Sequence, residues 1–319
     1  METRNVVIIG AGPAGYAAGL YAGRAQLEPL LLTGPRVGGQ LSMTLDIENY
    51  PGYGAKDAAG LIQTMQKQAE EFGTEIRLDY VTEVDLGRHP FLVKTGTDAE
   101  IAAKTLIVCT GSSPRKLNVP GEEERIGRGV SYCATCDGFF FRDKRAVVVG
   151  GGDAAIEESL FLTRFAREVH VVHRRDQLRA SPTLQERAFA NEKIHFIWDT
   201  VVDEILGDDD RGVYAVRLRN VQTGEVTEFP ADGVFIFIGH IPNTELFRGQ
   251  LELDEKGYIV VDRQQKTSVD GVFAGGDVHD YVYRQAITAA AAGAAAAIQA
   301  ERWLAEHENR AYPGGTGAG

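Results

Sequence analysis

The chain has 319 residues, too long for one comfortable hydrophobic core, so two domains are expected. A formal net charge of -12 disfavours nucleic acid and anionic membrane as general partners, since both reward basic surfaces. With 3 cysteines the chain has no disulfide framework, which fits a reducing, cytoplasmic compartment.

The first apolar run, Val6 to Ile9, leads straight into the loop Gly10-Ala11-Gly12-Pro13-Ala14-Gly15 and then an Ala-rich helical pattern to about Gln26. No targeting segment is expected ahead of it. Strand, tight glycine turn and helix in succession form the context in which a GxGxxG carries weight. Glycine is required where the backbone turns sharply or must approach pyrophosphate, and the helix N-terminus offers unpaired N–H groups to the phosphates. Alternating stretches at 81–86 and 91–94 follow, and an apolar strand at 105–111 ends in glycine.

The same plan then recurs. An apolar run at 145–149 enters Gly150-Gly151-Gly152-Asp153-Ala154-Ala155 and a helical pattern to about Phe165. Alternating stretches at 201–206 and 213–221 lead to an apolar strand at 234–239. Such a repeat predicts an α/β protein with two Rossmann-like, three-layer dinucleotide-binding domains, one inserted in the other. The insertion is expected at 114–243, flanked by Ser113-Pro114 and Ile241-Pro242-Asn243 as linkers, which leaves 1–113 and 244–319 as the outer domain. Gly271 to Asp277 and the Ala-rich stretch at 286–300 have no counterpart in the second copy and complete the outer domain. That stretch is short, weakly apolar and flanked by Arg284, Glu301 and Arg302, so it predicts a buried helix rather than a membrane span. The tail at 314–319 is expected to be disordered.

The strand at 168–172 ends in His173-Arg174-Arg175, with Arg179 close behind. An NAD site usually has an acidic residue here for the ribose, whereas arginines suit the 2′-phosphate of NADPH. A solvated basic turn is the alternative. In the first copy the corresponding strand ends Leu32-Thr33-Gly34 without an acid. There the assignment to FAD rests on Gly275-Gly276-Asp277 and on the helix from about Arg284, although a plain turn cap also accounts for Asp277.

Cys133-Ala134-Thr135-Cys136-Asp137 lies between the two fingerprints. Two thiols at this spacing can form half a zinc site, a structural disulfide or a redox pair, or can simply be two buried small residues. Flanking dinucleotide sites favour the redox pair, which takes two electrons and passes them on by thiol–disulfide exchange. Asp137 is a plausible acid/base for the thiolate, against a turn-forming role before Gly138.

Together with Gly38-Gly39-Gln40-Leu41, Glu48-Asn49-Tyr50-Pro51-Gly52 and Tyr283-Arg284-Gln285-Ala286, these motifs make the chain resemble the bacterial-type, low-molecular-weight thioredoxin reductases over nearly all its length. The resemblance implies FAD in the outer domain, held by Gly10, Gly12, Pro13, Ala14, Gly15, Gly39, Gln40, Leu41, Asn49, Thr110, Gly111, Gly276, Asp277, Arg284, Gln285 and Ala286. It implies NADPH in the inserted domain, held by Gly150, Gly152, Asp153, Ala154, His173, Arg174, Arg175 and Arg179. It further implies a homodimer, thioredoxin as electron acceptor, catalysis by Cys133, Cys136 and Asp137, and an inserted domain that rotates. By the same resemblance Cys136 faces the flavin and Cys133 attacks thioredoxin. Two residues depart from the pattern: Cys109, expected to be an inert buried thiol, and Asp153, which beside a pyrophosphate loop could weaken NADPH binding modestly, an effect the sequence alone does not decide.

Phe139, Phe140 and Phe141 are expected to be core, with one or two available as a docking patch and Arg128 as a possible aid. His240 and His279 are assigned no catalytic role, and the 7 histidines show no metal-ligand spacing with the cysteines. The alternatives are a flavoprotein of the same build serving another acceptor (a dithiol oxidase, a ferredoxin-linked reductase or a peroxide-system reductase) and a nucleotide-binding redox sensor without turnover.

Overall fold

Strand Glu2–Ile9 is the axis of the first half of the molecule. A computed structural model describes residues 1–307, so the glycine-rich tail at 314–319 lies outside the described residues. Ile8 lies in parallel register between Leu31 of strand Leu30–Leu32 and Ile107 of strand Glu100–Val108. All three side chains are fully buried. A parallel strand covered on both faces has no solvent side, which is why these segments read as unbroken apolar runs.

The sheet order is Glu75–Arg77, Leu30–Leu32, Glu2–Ile9, Glu100–Val108, then the hairpin Phe91–Thr95 and Val81–Asp85. Strand Glu100–Val108 is long enough to serve two neighbours on its other edge. Its first half pairs antiparallel with Phe91–Thr95 and its last residues pair parallel with Val272–Ala274. Helices Pro13–Arg24, Ala58–Glu71 and Ala286–His307 complete this unit. Asp57 caps the second of these by accepting a hydrogen bond from the Gly60 N–H. The Ala-rich stretch is a packed helix, as its composition predicts: Ala289, Gly293, Ala296, Ala297, Ala300 and Leu304 bury one face. A Cβ on Gly293 would stand 1.9 Å from the Ala14 carbonyl oxygen, so helices Pro13–Arg24 and Ala286–His307 cross where only glycine fits. Among the described residues no helix is long and apolar enough to cross a membrane.

The second unit repeats the design around strand Arg145–Val149. Its sheet runs Ile194–Ile197, Glu168–Val172, Arg145–Val149, Gly233–Ile236, Val130–Ser131, all parallel. A separate antiparallel sheet comprises Thr200–Asp208, Gly212–Asn220 and Val226–Pro230, and the helices are Ala134–Asp137, Asp153–Leu162 and Pro182–Phe189. In both units the strand that feeds the glycine turn has its next parallel neighbours on opposite sides. The strand order therefore reverses at the turn, where open α/β sheets bind ligands.

The first unit comprises Met1–Ser42, Tyr50–Ser113 and the chain from Ile241; the second comprises Met43–Asn49 and Pro114–His240. Two details differ from the boundaries read from the sequence. The return to the first unit comes at Ile241 rather than 244, and Met43–Asn49 belongs to the second unit. The reason is contact: a Cβ on Gly127 would lie 3.4 Å from both Leu45 Cγ and the Met43 carbonyl oxygen. The two connecting segments, Ser112–Pro114 and His240–Pro242, pair with each other as a two-stranded ribbon.

Candidate active site

Gly10 has φ of 111°, and a Cβ there would lie 2.3 Å from the Cys109 carbonyl oxygen, so this turn admits only glycine. Gly12 is the N-cap of helix Pro13–Arg24 and supplies no side-chain cap, with no acidic residue in the first turn. The first N–H groups of that helix are thus left for an outside acceptor, and Pro13, which has none, costs nothing at that position. Gly15 lets the helix start close to the strand, since a Cβ there would be 1.8 Å from the Gly10 carbonyl oxygen. Gly39 opens the short turn Gly39–Met43 and faces Gly12; a Cβ on Gly39 would meet Gly12 Cα at 3.3 Å. Leu41 of that turn is buried.

Gln40 ties this turn to the far strand end. Its Nε2 donates to the Ser112 carbonyl at 2.8 Å and to Asp277 Oδ2 at 3.3 Å. Burial, with Asp280 adding to it and Arg284 opposing it, pushes the Asp277 carboxyl up to about 7. Gly276 approaches Ala14 closely, its Cβ position being 2.9 Å from the Ala14 Cβ. Ala286 begins the long helix, and the Gln285 side chain folds back to donate to the Tyr283 and Arg284 carbonyls at 3.2 Å. Thr110 and Gly111 are engaged by the returning chain: Thr110 Oγ1 donates to the Asn243 carbonyl at 2.7 Å, and Asn243 Nδ2 donates to the Thr110 carbonyl at 2.8 Å. Asn49 belongs to the other unit. It is exposed, on the Met43–Asn49 segment of the second unit.

The second cradle is built likewise. Gly152 is the N-cap of Asp153–Leu162 without a side-chain cap, and a Cβ there would meet no protein atom within 4 Å. Arg174, Arg175 and Arg179 are exposed, and among the described residues none forms an ion pair. Their loop is fastened to the glycine turn, because the Arg179 N–H donates to the Gly151 carbonyl at 2.7 Å. Asp153 does the same from the other side, accepting the Ser181 N–H at 2.6 Å on Oδ1. The carboxylate whose effect on an anion the sequence left open is thereby engaged in holding the basic loop. His173 is buried beneath Gly151, where a Cβ would come 2.4 Å from its ring. Burial, and then the neighbouring arginines, lowers its pKa despite a backbone hydrogen bond to Gln177. Its ring supports the turn from below.

Both turns fit a dinucleotide: each offers uncapped helix N–H groups at a glycine turn, the donor set for pyrophosphate. The second adds three unpaired guanidinium groups suited to a further phosphate.

Cys133 and Cys136 form a disulfide, with Cα atoms 5.3 Å apart, on the single-turn helix Ala134–Asp137. Cys133 is its N-cap, and its Sγ accepts the Cys136 N–H at 3.1 Å. The adjacent Gly138 lies tightly on helix Asp153–Leu162, its Cβ position 3.2 Å from Leu162 Cδ2. Asp137 receives hydroxyl hydrogen bonds from Ser131 at 2.5 Å and Thr44 at 3.2 Å. Burial raises its pKa, those two bonds lower it and Asp46 raises it. Sequence reasoning missed Ser131 and Thr44. Ser131 lies two residues before the motif without a distinguishing pattern, and Thr44 comes from 93 residues away in the chain.

Of the three phenylalanines only Phe139 is exposed, at 47%, with the Arg142 guanidinium 5.1 Å from its ring centroid. Phe141 is core and packs edge-on against Phe235. Arg128 is paired with Asp209 at 3.4 Å. Cys109 is buried and outside the disulfide, and burial pushes its thiol up to about 12. One grouping had no sequence signal. Parallel register sets His170 beside His195, and Glu168 joins them within 4.8 Å. Arg145 and Arg167 already compensate the Glu168 carboxylate, at 2.8 and 3.1 Å, and their charge disfavours a cation there.

A family model described as pyridine nucleotide-disulphide oxidoreductase matches residues 4–293. A thioredoxin reductase from Mycolicibacterium smegmatis is 52% identical over 307 residues, 95% of this chain and 97% of that protein. One from Streptomyces coelicolor is 51% identical over 322 residues, 98% of each. Among solved structures, thioredoxin reductase from Streptococcus pyogenes superposes with a TM-score of 0.90 at 46% identity, covering 95% of this chain and 99% of that one. The chain therefore belongs to the pyridine nucleotide-disulphide oxidoreductase family, in its thioredoxin reductase branch.

Proposed function

We propose that the chain is an NADPH-dependent thioredoxin-disulfide reductase that binds FAD in the first unit and NADPH in the second. The observation that carries this reading is the Cys133–Cys136 disulfide on a single-turn helix, in the same unit as a basic dinucleotide cradle. Bound FAD and NADPH supply the two electrons that open this disulfide.

Gly12 and Gly152 present helix N–H groups to the pyrophosphates, Asp277 and Gln40 orient the polyol of the first cofactor, and Arg174, Arg175 and Arg179 recognise the 2′-phosphate of the second. Once reduced, the Cys133 thiolate attacks a disulfide sulfur of thioredoxin, and one thioredoxin sulfur leaves. The Cys136 thiolate then attacks Cys133 Sγ in the mixed disulfide, which re-forms the internal bond and releases reduced thioredoxin. Asp137 takes the proton from the attacking thiol and returns it to the departing thiolate, so the exchange balances without a net proton. A homodimer and a cytoplasmic setting complete the reading, the first carried by family likeness and the second by the cysteine usage.

Purified protein should be yellow, oxidise NADPH in preference to NADH and reduce thioredoxin with turnover. A colourless protein, or turnover that survives Cys136→Ser, would overturn the assignment.

A further inference from the structure

The Asp137 carboxyl is held by two hydroxyls that each have a second acceptor in reach. Ser131 Oγ lies 2.5 Å from Asp137 Oδ2 and 3.2 Å from the Cys133 carbonyl oxygen. Thr44 Oγ1 lies 3.2 Å from Asp137 Oδ1 and 3.1 Å from the Asp46 carbonyl oxygen. A hydroxyl has one hydrogen to give, so in each case only one of the two bonds forms at a time. Ser131 Oγ also accepts the Cys133 N–H at 3.1 Å, so a single atom joins the acid to the backbone of the dithiol turn.

An ionised carboxylate draws both hydrogens, because hydrogen bonds to a charged acceptor are roughly twice as strong as neutral ones. A protonated carboxyl draws them less, and each hydroxyl then has a neutral carbonyl within reach. Neither donor is stranded in either state, which matters because an unmade hydrogen bond at a half-buried site costs more than a made one contributes. We propose that Ser131 and Thr44 are positioning residues for Asp137, two hydroxyl rotors that turn to its carboxylate when it is ionised and to the Cys133 and Asp46 carbonyls when it carries the proton. This rests on the acid–base role of Asp137 set out above. It adds that a segment remote in sequence, Met43–Asn49, tunes the catalytic acid.

The charges around the site give the test a sign. Asp46 is the charged group acting on Asp137 from the Met43–Asn49 segment, and it favours the protonated form. Helix Asp153–Leu162 meets the dithiol turn at Gly138 through Leu162 and Phe161, which are uncharged. Removing either hydroxyl should therefore raise the proton affinity of Asp137, and removing the Asp46 charge should lower it.

The experiment is the pH profile of thioredoxin reduction by the FAD-loaded enzyme. Ser131→Ala should move the limb governed by Asp137 upward by about one pH unit, a tenfold change in proton affinity. Thr44→Val should move it upward by less, Asp46→Asn should move it downward, and Ser131→Thr should restore the wild-type position. Limbs that stay in place in both hydroxyl variants, or that shift the same way in Asp46→Asn as in Ser131→Ala, would overturn the proposal. The exposed Asp46 variant keeps the test open if a hydroxyl variant folds poorly. Asp137→Asn separates the two readings: a profile unchanged by that substitution removes the acid–base role itself, whereas a limb lost there but unmoved in the other variants removes only the rotors.

Discussion

The two glycine turns follow one plan and differ in their third position. In the first, Gly15 lets the helix start so close to the strand that an added Cβ would be 1.8 Å from the Gly10 carbonyl oxygen. In the second, Ala155 occupies that place and is fully buried, because its turn leaves room for a methyl group. The first helix is pressed further by Ala286–His307, which crosses it at Gly293, whereas the second packs beside the dithiol turn at Gly138. The same local grammar thus serves a tightly enclosed cradle in one unit and one tied to a basic loop and a redox pair in the other.

The largest way to break this comparison is at the dithiol, which only the second unit carries. Cys136→Ser should lower thioredoxin reduction by about a thousandfold or more in steady-state assays, since the covalent exchange has no second route. Next comes the third position of each turn. Gly15→Val should cost about 4 kcal/mol of stability and release the flavin, read by denaturant unfolding and by absorbance, because the clash is with backbone. Ala155→Gly should cost only about 1 kcal/mol.

A smaller effect sharpens the contrast in nucleotide recognition. Replacing Arg174 and Arg175 together by alanine should raise KM for NADPH at least about tenfold while leaving KM for NADH nearly unchanged, the loss of charge-assisted bonds to one phosphate. Equal effects on both nucleotides would leave the basic loop without that role. Asp153→Ala should raise KM for NADPH by about threefold through loss of the Ser181 tether, a result opposite in sign to relief of anion repulsion. Cys109→Ala should be the mildest change. Its thiol should resist thiol reagents in the native protein and react only after unfolding, because burial pushes its pKa up to about 12.

Much of this was legible in the chain. The apolar runs, glycine spacings and basic strand end located both cradles because each is local: strand, turn and helix lie within 25 or so residues, and backbone sterics at Gly10 leave no alternative residue. The inserted topology was legible because the pattern repeats. The function of Asp153 was not, since its sign depends on a partner, Ser181, that the fold brings to it. That His173 is buried with its ring under Gly151 was not legible either, since which way a side chain at a strand end faces depends on the fold.

The sequence by itself determined the two dinucleotide plans, the redox pair and its place in the inserted unit, because these rest on periodicity and on short-range steric necessity. Only the tertiary structure decided that Met43–Asn49 joins the second unit, that Asn243 grips Thr110, and that Ser131 and Thr44 converge on Asp137. Those arrangements are hydrogen bonds made in three dimensions by common hydroxyls and amides, and no spacing in the chain marks one serine or threonine as the partner of a distant carboxyl.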